Sequence, residues 1–420
     1  YQVAAVRPGV GVNNGVANFI RRRNGEPWEF DHFLEVNPLG RTLGIILYQD
    51  QVNELGMEVA DFSAREADQM RRSFGQKHKK QLYVDWKGRF IQGALRKNVP
   101  RKTANLIFNK LNGEYMFPEA HAYAFGITAY QMAWLKFYYP LEFYVSLMNQ
   151  QPMGFWSLET IKEDAKRHNI EIMPPDINLS LLKSTIEDLN IRTGLAHVKN
   201  LGLISSQKII SNKKNEGSFE SLRDFINRNS ISERVLFSLA DSGAFDSFNS
   251  SRRHTRWEIG LYKKINNHQN SLNFPVDHEI ANIPNENEKQ IMMNELKSLG
   301  FSPRGHMMKE IRKTISTEIK TSKELKTINH GETITTAGFV VRRQHPRSAK
   351  SYFFTLEDEY GHVPLVIWES VWESNKKAFQ NNLLLISGEI SRREGTFNVI
   401  VKRVESTNIN DYRNRVIEWR

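Results

Sequence analysis

The stretch FPEAHAYAFGITAYQMAWLKFYYP, Phe117 to Pro140, sets His121 two residues after Glu119 and a single Lys136 near its end, among many aromatic rings. An imidazole and an ammonium can both face an anion, while the rings around them are the material of a core. A buried amphipathic helix with a hydrogen-bonded histidine explains the same spacing. Arg71 and Arg72 are a second candidate. Two adjacent guanidinium forks match phosphate oxygens bidentately and stay charged at any working pH. Asp68 precedes them by three and four residues, so salt bridges along one helix account for the same set.

Other groups suit a nucleic-acid backbone. Lys77-His78-Lys79-Lys80 and Arg21-Arg22-Arg23 have the pattern of a solvated face, and on a basic chain also of phosphate contact, with Lys77 and Lys79 as candidates. In the middle of the chain, short helices turned by glycines can present backbone N–H groups and lysines to a DNA phosphate, as helix-hairpin-helix units do. Lys199-Asn200-Leu201-Gly202 forms the first candidate hairpin and Ser242-Gly243-Ala244 the second; Lys199, Gly202, Lys208 and Gly243 are the contacts expected. Any helical hairpin with a glycine turn looks similar, and Asn200 interrupts the usual small-residue pattern. QNSLNF, with Gln269, Leu272 and Phe274, is a polar-linker peptide whose amide and two apolar anchors could plug into a partner's pockets. Near the end, Phe339, Arg342, Arg343, Tyr352, Phe354 and Trp368 could stack bases and neutralise phosphates, or fill a core. The sequence has no Asp-x-Asp pair, no Gly-rich phosphate loop and no histidines at metal-ligand spacing. A self-contained two-metal phosphoryl-transfer site is therefore not visible.

The elements that must position these groups fall into three styles. Ser63 and Glu66 have capping-box spacing, Ala67, Met70 and Phe74 make an apolar stripe, and Arg65, Arg72 and Lys79 share another face. Helices are expected near Pro100 to Leu111 and Ala122 to Met148, with the aromatics of the latter packed inside. After QQPMGFW, a helix from Ser157 to His168 leads through an extended step into short helices. There Ser230 and Glu233 read as another capping box and Gly243 as a helix end needing positive φ. From about Leu261 the chain turns to Asn, Lys and Glu, with one helix expected from Glu288 to Leu299. Beyond Thr333 the period changes to two, in five strand-like runs with a short helix near Glu369 to Lys377 between the third and fourth. That is the pattern of an OB-type barrel.

The chain has 420 residues, 58 Lys+Arg against 47 Asp+Glu, and a net charge of +11. A multidomain α+β protein whose field attracts polyanions is implied. Residues 1–110 hold 18 of the basic and 11 of the acidic residues, so most of the surplus lies there. Cysteine is absent, which excludes disulfides, thiolate metal sites and cysteine nucleophiles, and fits a cytoplasmic protein. No apolar run approaches a bilayer span, so no membrane partner is expected. Opening on Tyr1, the sequence reads as a piece of a longer protein.

Several ordered motifs resemble one family. VRPGV, GRTLGIILYQDQV, ADQMRRSFGQK, FPEAHAYAFGITAYQMAWLKFYYPLEFYVSLMNQQPMGF and EDAKRHNIEIMPPDIN are similar to the fingers and following region of bacterial C-family DNA polymerases, the polymerase III alpha subunit superfamily. QQPMGF and PEAHA, where replicative members have NKSHA, point to the error-prone translesion branch. TAGFVVRRQHPRSAKSYFFTLEDEYGHVPLVIW resembles that branch's OB domain. The resemblance implies fingers over 1–150, tandem helix-hairpin-helix units over 151–260, and a linker with a clamp-binding peptide over 261–329. It further implies an OB domain over 330–406 and a tail over 407–420. By the same resemblance Arg7, Gln49, Gln51, Arg71, Arg72 and His121 lie near the incoming nucleotide, with Lys136 added as a candidate. The resemblance also implies that the catalytic carboxylates and their Mg2+ belong to a palm domain before Tyr1. DNA-templated synthesis in damage-induced mutagenesis is implied, with primer-template DNA, dNTP, the sliding clamp and accessory mutagenesis proteins as partners. A replicative alpha subunit, or a non-catalytic DNA- and clamp-binding module, is the alternative.

Overall fold

The computed structural model describes residues 1–5, 15–74, 79–111, 116–154, 156–248, 251–267, 283–315, 318–346, 350–393, 396–406 and 417–419. These divide into two units, Tyr1–Trp134 and Leu135–Arg420.

In the first unit the main helices are α1 Gly15–Arg23, α2 Gln49–Ala60, α3 Ala64–Ser73, α4 Lys79–Arg96 and α5 Arg101–Lys110. Ser63 and Glu66 start α3 as their spacing predicts: the Ser63 hydroxyl accepts from the Glu66 N–H, and the Glu66 carboxylate accepts from the Ser63 N–H at 3.0 Å. Ala67, Met70 and Phe74 turn inward onto Leu55 and Val59 of α2, Phe90 of α4 and Phe108 of α5. Gly93 allows α4 to cross the end of α2, because a Cβ there would lie 1.8 Å from the Ala60 carbonyl oxygen. Lys79 does not share a helix with Arg65 and Arg72; α3 stops at Ser73, and Lys79 begins α4.

The helix expected over Ala122 to Met148 is two helices, α6 Glu119–Tyr138 and α7 Pro140–Asn149. Pro140 has no N–H to donate back into α6, and it is well placed as the first residue of a new helix. The aromatics of α6 are not packed inside. Ala122 is the one buried residue described on it, while Tyr130 and Phe137 are 71% and 77% exposed. Apolar side chains lie all round this helix instead of along one stripe, so a neighbour on one side can cover only part of them. In the first unit that neighbour is the small cluster of Ala4, Phe19, Leu47, Tyr48 and Phe117, which buries Ala122 and meets the rings of His121 and Phe125 on the same turn.

The second unit continues with α8 Leu158–Arg167 and a small sheet of β1 Ile172–Met173, β2 Thr185–Glu187 and β3 Asn190–Arg192, in the order β1-β3-β2. Helices α9 Leu203–Glu216, α10 Leu222–Arg228, α11 Glu233–Ser242 and α12 Arg252–Asn267 follow. The N-cap of α11 is Ser232, not Ser230, and it makes no side-chain capping bond; Glu233 is the first helical residue, so the expected capping box is absent. Gly243 ends α11 at φ 87°, as expected.

Helices α13 Glu288–Ser298 and α14 Met307–Arg312 lead to the strands β4 Thr333–Gln344, β5 Ser351–Glu357, β6 His362–Trp368, β7 Leu383–Arg393 and β8 Thr396–Ser406. The five expected strands close into a barrel: β4 pairs with both β5 and β7, β7 with β8, and β6 with β5 and, in parallel, with β8. Alternation fills it, with Val363, Leu365 and Ile367 pointing in from β6 and Val399 and Val401 from β8. The helix α15 Glu369–Phe379 joins β6 to β7. One further strand, β9 Ile417–Trp419, lies parallel to Arg342–Gln344 in the stretch expected as a tail.

Residues of α13 and α14 join the helical body to the barrel. Met292, Met307, Met308, Ile311 and Ile319 share a core with Ala337, Phe339 and Leu383 of the barrel. Buried Lys162 of α8 donates to Glu159, to Glu163 and to the Gly305 carbonyl at 3.0 Å, and Glu159 accepts from the Ser302 N–H. Arg167 reaches Glu357 of β5 at 2.9 Å, while Arg312 pairs with Asp358 and Glu359. His306 is sealed in this joint, capping α14 through Nδ1.

Burial lowers the His306 pKa to about 3, against opposing effects of Glu357 and Asp358 and with help from Lys162 and Arg167. The unfolded imidazole titrates near 6.5. The stability conferred by a neutral His306 is thus complete above about pH 6.5 and is lost as pH falls towards 3, where the unfolded chain takes up a proton that the folded one refuses. The slope reaches about 1.4 kcal/mol per pH unit. His306→Asn keeps an N-cap acceptor but does not titrate. Urea unfolding between pH 7 and 4.5 should therefore show a shallower loss of stability in the variant than in the parent.

Candidate nucleotide and nucleic-acid interface

The first candidate site is built where α2, α3 and α6 bring their ends together. Tyr48 approaches α2 in extended conformation and pairs with Phe117 just before α6, and the Gln49 N–H donates to the Phe117 carbonyl at 3.1 Å. The next residue, Asp50, accepts the Glu119 N–H at 2.7 Å, satisfying an open donor of the first turn of α6. Arg71, in the last turn of α3, donates through Nη1 to Gln49 Oε1 at 3.2 Å and through Nη2 to Asp68 at 2.6 Å; its buried Nε has no partner. Arg72 lies on the same carboxylate, Nε to Asp68 Oδ2 at 2.6 Å, with 71% of its side chain exposed. Hydrogen bonding from Arg71, with the charge of Arg72, holds the Asp68 carboxyl below its usual range. His121 projects from the first turn of α6, its ring 5.2 Å from Phe117 and edge-on to Phe125 at 4.7 Å. Gln49, Arg71, Arg72 and His121 thus share one end of the unit.

Gln51 does not join them. Gln51 is fully buried: its Oε1 accepts from the N–H groups of Leu47 and Tyr48, and its Nε2 donates to Thr42 and the Pro38 carbonyl. It has no hydrogen-bonding capacity left for a nucleotide, and its role is to fix the entry to α2. Lys136 lies in the second unit, ion-paired to Asp164 at 2.6 Å beside Tyr144, whose hydroxyl donates to the same carboxylate. Arg7 and Lys77 lie outside the described residues, as does the Lys79 side chain. At this end of the unit, Arg41 escaped the sequence reading. Arg41 holds Glu119 with two bonds of 2.7 Å and also binds Glu54, which raises its own pKa chiefly through the Glu119 hydrogen bond. The Glu in PEAHA is the sequence trace of that clamp.

In the helical body, the turn before α9 holds Asn200 at φ 69° and Gly202 at φ 71°. Asparagine tolerates the left-handed region best after glycine, so Asn200 fits the turn it seemed to interrupt. Its amide also donates to Ser238 of α11. Gly202 is exposed, and the first turn of α9 has no side-chain cap, so its N–H groups face outward. Lys208 is exposed on the same helix. Lys199, in contrast, is tied to α13 through its N–H to the Ser298 carbonyl and its Nζ to the Leu296 carbonyl, and burial lowers its pKa. Gly243 is buried, its N–H turned back to Ala240, and a Cβ there would strike the Arg252 guanidinium at 2.3 Å. It serves the turn and presents nothing to solvent.

On the barrel, Phe339 and Phe354 are core residues, 2% and 3% exposed, so neither can stack a base. Arg343 donates to the Phe379 and Asn381 carbonyls at the C-terminal end of α15, a position that favours a cation. Arg342 lies beside it on β4. Tyr352 belongs to a ladder of near-parallel rings. The exposed His345 lies 4.0 Å from Tyr352, Tyr352 4.2 Å from Trp372, and Trp372 5.4 Å from the buried Phe379, with interplanar angles of 9°, 16° and 20°. Trp368 is half exposed. Trp372 and His345 were not foreseen, because helical and loop positions meet β5 only in the folded barrel.

Among the described residues, no three His, Asp or Glu side chains are grouped so as to hold a metal ion. No helix there is long and apolar enough to cross a membrane. The Gln269, Leu272 and Phe274 peptide lies outside the described residues.

Three family models match the chain: the bacterial DNA polymerase III alpha subunit finger domain over residues 1–98, a helix-hairpin-helix motif over 169–255 and an OB-fold nucleic acid binding domain over 334–407. The sequence is similar to proteins named error-prone DNA polymerase from Mycobacterium bovis (31% identity, 96% of this chain, 38% of the relative), Saccharophagus degradans (31%, 95% and 40%) and Vibrio vulnificus (32%, 96% and 40%). The chain spans about two fifths of the length of these relatives.

The contrast between the two glutamines is testable in the isolated chain. Gln51→Ala strands buried donors and an acceptor and should cost about 1–3 kcal/mol in urea unfolding. Gln49→Ala, at a partly exposed position, should change stability by less than about 0.5 kcal/mol.

Proposed function

Because the chain belongs to the bacterial DNA polymerase III alpha subunit superfamily, we propose that it supplies the nucleotide- and DNA-gripping parts of an error-prone DNA polymerase. The observation that carries this reading is the gathering of Gln49, Arg71, Arg72 and His121 at the meeting of α2, α3 and α6. Two guanidiniums and an imidazole at one end of a rigid helical unit suit the triphosphate of an incoming dNTP. Fixed positive charge there stabilises the charge that builds on the phosphoryl oxygens as the primer 3′-hydroxyl attacks. The described residues offer no ligand set for a divalent metal, so Mg2+ would be held by carboxylates of the longer polypeptide.

The domain plan follows the same reading. Fingers occupy 1–150, helix-hairpin-helix units 151–260, a connecting segment with a clamp-binding peptide 261–329, the OB domain 330–406 and a tail 407–420 whose strand β9 returns to β4. Gly202, the open turn of α9 and Lys208 contact the backbone of primer-template DNA. Tyr352 and its ring ladder receive a single strand, with Arg342 on the neighbouring strand β4. The sliding clamp takes Gln269, Leu272 and Phe274, accessory mutagenesis proteins are further partners, and the cytoplasm is the location. The names of the relatives favour the error-prone branch over a replicative alpha subunit.

Steady-state incorporation by the full polypeptide tests the nucleotide site. Arg71→Ala should lower kcat/KM for dNTP about 10- to 100-fold, as expected for a lost charge-assisted hydrogen bond. His121→Ala should raise KM or lower kcat; unchanged kinetics in both variants would refute the assignment. Binding of the 420-residue chain to a primer-template duplex should weaken steeply as salt rises from 50 to 200 mM, because backbone contacts release counterions. A flat response would exclude backbone-led binding.

A further inference from the structure

Among the described residues, Asp68 is the carboxylate ion-paired to both arginines. One carboxylate serves both arginines: Oδ1 accepts from Arg71 and Oδ2 from Arg72, each at 2.6 Å. The nearby acids have other partners. Glu66 is taken by Ser63 and Arg89, Asp50 by the Glu119 N–H, and Glu119 and Glu54 by Arg41. Of two positive charges, a polyanion approaching α3 therefore meets a net of one.

We propose that Asp68 is a resident counter-ion that an incoming triphosphate must displace, so that carboxylate and phosphate compete for the same two guanidinium forks. Two phosphate oxygens can take the positions of the two carboxylate oxygens, since both groups present paired oxygens to a planar fork. The exchange needs no unfolding. Asp68 is about one third exposed and Arg72 largely so, and a carboxylate on a helix surface can rotate into water. Gln49 does not let go with it: its amide oxygen still holds Arg71 Nη1, and the unpartnered Arg71 Nε is an additional donor for the arriving anion. The fingers therefore keep their arginines aimed while no nucleotide is bound, and a nucleotide that makes only part of its contacts does not repay the loss of the carboxylate. Asp68 thereby sets the threshold for nucleotide binding.

This inference rests on the assignment of Arg71 and Arg72 to the triphosphate. The test is dNTP incorporation on a primer-template by the full polypeptide carrying D68N, which removes the charge and keeps the shape. The apparent KM for dNTP should fall about three- to tenfold, the size expected from releasing two exposed ion pairs, with the change in KM and not in kcat. It should fall for mismatched as well as matched nucleotides. D68E, which restores the charge at the same helix position, should return KM towards the parent value. A helix-stabilising role alone would shift the unfolding midpoint of D68N and leave KM where it was. If Arg71→Ala and Arg72→Ala raise KM but D68N leaves it unchanged or raises it, the counter-ion role is wrong and the triphosphate assignment stands. If neither arginine variant alters KM, that assignment fails and the counter-ion role fails with it.

Discussion

The buried amide of Gln51 is the interaction on which the end of the first unit that carries Gln49, Arg71 and Arg72 depends. Two backbone donors, one hydroxyl and one carbonyl are satisfied by this single side chain, which fixes residues 47 and 48 against the start of α2. From that fixed entry Tyr48 and Gln49 pair with Phe117, and Asp50 takes the first free N–H of α6. The exposed groups inherit their positions from these bonds. Arg71 is steered by Gln49, and His121 is carried by a helical turn that Arg41 clamps through Glu119. A dry polar interior thus supports a wet, charged rim, which is the division of labour that preorganisation requires.

The second unit solves a different problem, joining a bundle of short helices to a barrel. Apolar packing alone would let two such surfaces slide, and here methionines fill the joint while ion pairs index it. Methionine adapts to an irregular gap, whereas Lys162 can be buried only if Glu159, Glu163 and the Gly305 carbonyl meet it together. Breaking one member would leave a charge stranded, so the joint favours one arrangement.

Local chemistry made much of this legible. The Ser63 cap, the inward stripe of α3, the Gly243 helix end and the alternation of the five barrel strands each depend on neighbours in sequence, and each appears where the sequence reading put it. What depended on distant partners was not legible. Gln49 and Gln51 differ by two positions, yet one reaches Arg71 and the other disappears into a polar pocket made by residues 38 to 48. Lys136 reads as a spare cation until Asp164 meets it. Tyr352 and Phe354 lie two apart on one face of β5, yet Phe354 closes into the barrel core while Tyr352 stacks at its margin between His345 and Trp372. The exposure of α6 was missed because a rich apolar composition says how much surface wants cover, and says nothing of what supplies it.

The tether of Lys199 has a mechanical meaning. Its backbone N–H and its ammonium both end on the last turn of α13, whose Glu295 holds Arg252 and Ser302, while the Ser302 N–H is bound to Glu159 on α8. Arg167, at the far end of α8, grips Glu357 on the barrel. A tug on the loop before α9 is therefore borne by a continuous chain of polar links running to β5, and tension on one surface would be felt at the other without any bending of the helices between.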